Sequence, residues 1–153
     1  MHICMNKPRA LTRIRLLYCG AGFAALFSSF AIYAFFWNLN MILFRFIPKP
    51  AFLDMFFIPV KSDSMARSVL LFNLPDGLWF LSGALFIRAL WLANAKWHFL
   101  YFGIFAAAAL ALEMMQIFPA MLGTYDALDI LFMGIFAFLE SFIFNFFIKR
   151  RIV

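Results

Sequence analysis

Charge is what this chain has least of. Of its 153 residues only 13 % are Asp, Glu, Lys or Arg, against roughly 25 % in an ordinary globular chain. With so few polar groups a soluble protein of this size has no means of covering its surface. Two cysteines, Cys4 and Cys19, lack metal-ligand spacing and make no disulfide scaffold. The two histidines, His2 and His98, are too few for a zinc hydrolase. There is no Gly-x-Ser-x-Gly elbow for a nucleophilic triad, and no low-complexity or repeated segment. A lipoprotein cleavage box at Leu16-Leu17-Tyr18-Cys19 is excluded because Arg13 and Arg15 occupy the place of its apolar stretch.

What is there is apolar. Hydrophobic residues make up 67 % and aromatics 21 %, and mean hydropathy is +0.95. These values exclude disorder, collagen and coiled coil and leave an integral membrane protein in one domain, residues 1–153. Crossing the ~30 Å hydrocarbon layer takes about 20 apolar residues. Four stretches meet that length: residues 16–38, 75–94, 98–118 and 127–148. The expected fold is all-α, a four-helix transmembrane bundle. Gly20-Ala21-Gly22 and the alanines 106–109 are expected to let helices approach closely. Ser28, Ser29 and Ser82 are expected to bond back to carbonyls one turn earlier.

The net charge of +6 reads as an orientation signal rather than a nucleic-acid footprint, because no RNA-binding signature or stacking motif accompanies it. Lys7, Arg9, Arg13 and Arg15 precede the first span, Lys96 lies between the second and third, and Lys149-Arg150-Arg151 follow the fourth. The opposite side has Arg45, Lys49, Lys61 and Arg67. The positive-inside rule then gives N-in, C-in. The first span, ending in Phe35-Phe36-Trp37, reads as an uncleaved anchor. The loop 45–74 faces outward. Its 52–58 segment is too short to span and is placed along the membrane surface, and Ser62-Asp63 caps a short helix through Phe72. Pro75 suits the first turn of the next helix.

Ionisable groups inside spans are costly and need partners or functions. Arg88 and Glu140 lie equally far along two spans that run the same way, so their depth matches at about 20 Å. An ion pair between them is expected, with a proton or substrate relay as the functional alternative. Glu113 lies near the C-terminal end of its span, where a carboxylate opposes the helix dipole, and Gln116 shares its face. The chain direction gathers Asp76, Glu113, Gln116, Thr124, Asp126 and Asp129 at the outer rim. Four of the seven acids in the chain meet there. For Asp126 and Asp129 helix capping is a sufficient explanation. Three others remain open: a divalent cation at Glu113, Asp126 and Asp129, a cationic or hydroxyl-rich ligand, and acid–base chemistry by the same three groups.

The run Glu113-x-x-Gln116-x-Phe118, then Gly123-Thr124-Tyr125-Asp126-x-x-Asp129, resembles the VanZ-like family of small multipass membrane proteins, named after a protein associated with teicoplanin resistance. The resemblance covers about residues 73–140. It departs at Asp76-Gly77-Leu78-Trp79-Phe80, which lacks the family's Lys and His, at Gly123-Thr124 in place of an Arg, and at Met133 in place of an Asn. It implies a multipass envelope protein of the bacterial cytoplasmic membrane and lends no reaction or cofactor. The expected function is binding of a cell-envelope lipid or glycopeptide-like ligand at the outer acidic rim. The alternatives are a membrane enzyme acting on a lipid-linked substrate and a small structural subunit of a membrane complex.

Overall fold

A computed structural model describes residues 7–36, 71–118 and 125–148. Among the described residues there are four α-helices: α1 Lys7–Phe36, α2 Leu74–Leu90, α3 Ala95–Met115 and α4 Ala127–Ile143, the last followed by a π-helical turn, Phe144–Ile148. No strand occurs among the described residues. Three stretches, Ala10–Ala34, Ala95–Met115 and Ala127–Phe146, are long and apolar enough to cross a membrane.

The boundaries depart from the expected spans for local reasons. Helix α1 starts nine residues earlier than the apolar run, because Arg and Lys are good helix formers and nothing between Pro8 and Leu16 breaks the chain. Helix α2 stops at Leu90, short of residue 94. Trp91–Ala93 turn, and the Asn94 side chain accepts from the Trp97 amide at 3.3 Å. That cap starts α3 at Ala95, so Lys96 belongs to the first turn of a helix rather than to a connecting turn. At 17 residues α2 is about 26 Å long and is not among the three stretches of spanning length.

Helix α2 is nonetheless the hub. It packs most extensively against α1, then α4, then α3, whereas α3 and α4 meet only marginally. Its own glycines allow this. A Cβ on Gly77 would meet the Phe136 ring of α4 at 2.6 Å, and one on Gly83 would run into the Phe105 ring of α3. Of the expected small-residue contacts, Gly22 does face Phe86 of α2, while Gly20 has nothing near it. Among the alanines 106–109, Ala109 is buried and Ala107 and Ala108 are exposed.

Two apolar clusters form among the described residues. Phe80, Ala109 and Met133 join α2, α3 and α4, with the Phe80 and Phe105 rings stacked at 5.1 Å. Tyr18, Leu85, Ala89 and Leu92 join α1 to α2. The outward faces carry large apolar side chains such as Leu17, Phe27, Phe99 and Phe138, all about 70 % exposed, while Ser29, Asn73, Arg88, His98, Glu113, Asp129 and Glu140 are buried. Apolar outside and polar inside is the distribution a bilayer solvent selects, and water would reject it.

Candidate functional site

The four helices alternate in direction, so each contributes polar residues to both ends of the bundle. At one end meet the C-terminal half of α1, the start of α2, the end of α3 and the start of α4. The structure brings Asp76, Glu113, Gln116, Asp126 and Asp129 together there. Thr124 lies outside the described residues.

Asp126 is the N-cap of α4. Its Oδ1 accepts from the Leu128 amide at 2.9 Å. In a capping box the acid three residues on would reach back to the cap's own amide, and Asp129 was the residue expected there. Glu113 of α3 takes that amide instead: the Asp126 N–H donates to Glu113 Oε1 at 3.3 Å. Gln116 Nε2 donates to the other oxygen, Oε2, at 2.8 Å. The misplaced carboxylate at the end of α3 is thereby explained. It sits against the N-terminus of α4, whose dipole and free amides favour negative charge.

Asp129, released from capping, is buried and accepts from Asn73 Nδ2 at 2.7 Å. The same nitrogen donates to Asp126 Oδ2 at 2.9 Å. Asn73, only 1 % exposed, is thus the amide that holds two aspartates side by side. Its position just before α2 gave no sign of this, since a neutral residue in a turn has many ordinary uses. Asp76 accepts from the Tyr33 hydroxyl of α1 at 2.5 Å. Ser29 also crosses to α2, donating to the Pro75 carbonyl at 2.8 Å, not to a carbonyl of its own helix as expected.

The end is acidic and its donors are neutral. Among the described residues no Lys or Arg forms an ion pair with Asp76, Glu113, Asp126 or Asp129. At the water-facing edge, the Asn73 amide and then the Leu128 N–H hold the Asp126 carboxyl below the usual carboxylate range. No group of three acidic, His or Cys side chains among the described residues is placed to hold a metal ion, so the divalent-cation alternative at Glu113, Asp126 and Asp129 lacks a coordinating geometry.

The other end holds Arg88 and Glu140 in a bidentate ion pair, Nε to Oε1 at 2.6 Å and an Nη2 to Oε2 contact at 3.1 Å. Their side chains are 5 % and 0 % exposed. The Arg88 guanidinium lies over the Phe144 ring at 3.9 Å, a cation–π contact made by the first residue of the π-helical turn. Ser141 Oγ donates to Glu140 Oε2 at 3.4 Å. Tyr18 and His98 are buried at this same end and were not singled out by the sequence. A tyrosine in an apolar run and a histidine beside a predicted helix start carry no distinguishing pattern.

The geometry stands without relatives to extend it, since no family model, curated protein or solved structure matches the chain.

Proposed function

We propose that this protein is a multipass membrane protein of the bacterial cytoplasmic membrane that binds a cell-envelope lipid or glycopeptide-like ligand at its acidic end. One observation supports the reading above the others. Carboxylates from α2, α3 and α4 converge at one rim and are met by amides and a hydroxyl, with no Lys or Arg paired to them among the described residues. Such a rim complements a ligand rich in ammonium, hydroxyl or amide donors, which form strong hydrogen bonds to ionised acceptors.

In this reading the N- and C-termini are cytoplasmic, following the bias of the basic residues. The rim and the loop 45–74 then face the outer compartment, where envelope precursors present their sugar and peptide groups. The short helix expected from Ser62-Asp63 and the surface segment 52–58 are parts of that loop that lie outside the described residues. The VanZ-like resemblance, carried by Glu113, Gln116, Asp126 and Asp129, points to the same compartment and the same rim.

Binding is measured with the full chain in lipid nanodiscs, using a lipid-linked disaccharide-peptide and teicoplanin as probes and phosphatidylcholine as the control lipid. Glu113→Gln and Asp129→Asn should each weaken binding about tenfold, the loss of one charge-assisted hydrogen bond, with the thermal midpoint little changed. Equal binding by wild type and both variants would refute the site.

A further inference from the structure

The end of the bundle opposite the acidic rim contains two polar side chains that its ion pair does not use. The Tyr18 hydroxyl and both ring nitrogens of His98 are buried and have no hydrogen-bond partner among the described residues. His98 is 1 % exposed, with its ring stacked on Phe102 at 5.8 Å and edge-on to Phe99. Tyr18 is 5 % exposed and packs in the cluster that includes Leu85, Ala89 and Phe144. Both side chains lie within electrostatic range of Arg88 and Glu140.

Buried polar groups in folded proteins are almost always satisfied, and leaving one unsatisfied is costly. Three such atoms around one ion pair therefore demand a partner. The demand is chemically specific. A neutral imidazole has one N–H and one lone pair, and a phenol both donates and accepts, so the partner must donate and accept at once. Glu140 adds only acceptors, and Arg88 adds only donors. Water is the smallest group of that kind, and buried water bound to two to four polar groups is a normal part of a protein interior. Access is short: His98 is the fourth residue of α3, about 4.5 Å in from the helix start, and Asn94, Lys96 and Trp97 around that start are exposed.

We propose that the layer formed by Tyr18 of α1, Arg88 of α2, His98 of α3 and Glu140 of α4 is an internal water site, and that its water makes His98 a proton acceptor inside the membrane. A proton arriving along that water adds to the imidazole lone pair. The imidazolium that forms sets its charge against Glu140, while Arg88 remains a cation throughout. The layer then carries one positive charge more than before, and the Glu140 carboxylate is shared between two cations. The Tyr18 hydroxyl lies within electrostatic range of the same pair, and Ser141 Oγ donates to Glu140. Nothing in this proposal depends on the acidic rim at the opposite end.

The test uses the full chain in nanodiscs with 15N-labelled histidine, and a His2→Gln variant so that one ring is observed. The water site predicts magnetisation transfer from water to the His98 ring and exchange of its N–H with solvent. It also predicts ring nitrogen shifts that move with pH, along a curve displaced to lower pH in Glu140→Gln. Tyr18→Phe and His98→Phe should both lower the thermal midpoint, since each strips a bound water of a partner. A dry layer predicts the opposite: no transfer from water, ring shifts flat with pH, and a midpoint unchanged or raised in Tyr18→Phe. Any one of these three results overturns the proposal. Tyr18→Phe removes a single oxygen, so the question stays answerable if His98→Phe does not fold.

Discussion

The two polar ends of the bundle solve the same problem in opposite ways. Each takes side chains from all four helices, and the two layers are separated by about 16–22 Å of helix. At the Arg88 end the charges cancel: one guanidinium meets one carboxylate through two hydrogen bonds, and the neutral groups are left over. At the Asp76 end carboxyl groups accumulate, and neutral groups from Asn73, Gln116 and Tyr33 are spread over them. A balanced pair is a staple, whose removal costs stability. An unbalanced cluster carries an excess of acceptors for something outside the protein. The lesson is that counting buried charges says little until their partners are known.

The sharpest way to break this contrast is at the staple. Glu140→Gln or Arg88→Met should destabilise the folded bundle by about 3–5 kcal/mol, because each leaves its partner buried and unpaired. The exchanged double variant, Arg88→Glu with Glu140→Arg, should recover part of that loss. Unfolding in a detergent series reads both, and a double variant as unstable as the two single losses added would show that the two residues do not act together.

Next in size is Asn73→Leu, which strips two aspartates of their shared donor at once. A loss of about 1–3 kcal/mol is expected, with partial relief in Asn73→Leu combined with Asp129→Asn. The same unfolding assay would show a contrary result as no change. Gly77→Ala tests the packing that lets the rim assemble, since its Cβ would enter the Phe136 ring. It should cost about 1–3 kcal/mol and weaken ligand binding at the rim, while Gly20→Ala, with open space around it, should be neutral.

The smallest effect is a pH dependence at the rim. Asp126 is held below its ordinary value in the folded protein, so its contribution is complete above the unfolded carboxyl value of about 3.9 and is lost as pH falls through the folded one. Its setting is open enough to water that the contribution should stay below about 1 kcal/mol. Thermal midpoints followed from pH 6 down to pH 3 should fall less steeply in Asp126→Asn than in the wild type.

Arg88 and Glu140 were legible in the chain because their two helices run the same way and both charges sit 13 residues past the expected helix starts. Depth in a membrane follows from counting along a regular helix, and opposite charges at one depth have few alternatives. Glu113 was legible as an anomaly, since a carboxylate at a helix C-terminus violates the dipole, but its partner is a backbone amide and no side-chain pattern announces one. Asn73 was not legible. Its role depends on where α4 begins relative to α2, which is a tertiary fact. The ends of α1 and α2 differ from the ends of the apolar runs for a related reason. Apolar runs mark where lipid contacts helix, whereas caps such as Asn94 and helix-forming basic residues such as those before Leu16 decide where helix begins.

The bond from the Asp126 amide to Glu113 bears on how the chain enters the membrane. The amide that opens α4 needs an acceptor from outside its own helix, and the Glu113 carboxylate that receives it emerges from the ribosome first, on α3. The two segments therefore gain from pairing with each other as α4 joins the helices made before it. Biogenesis and the geometry of the rim would then share one hydrogen bond.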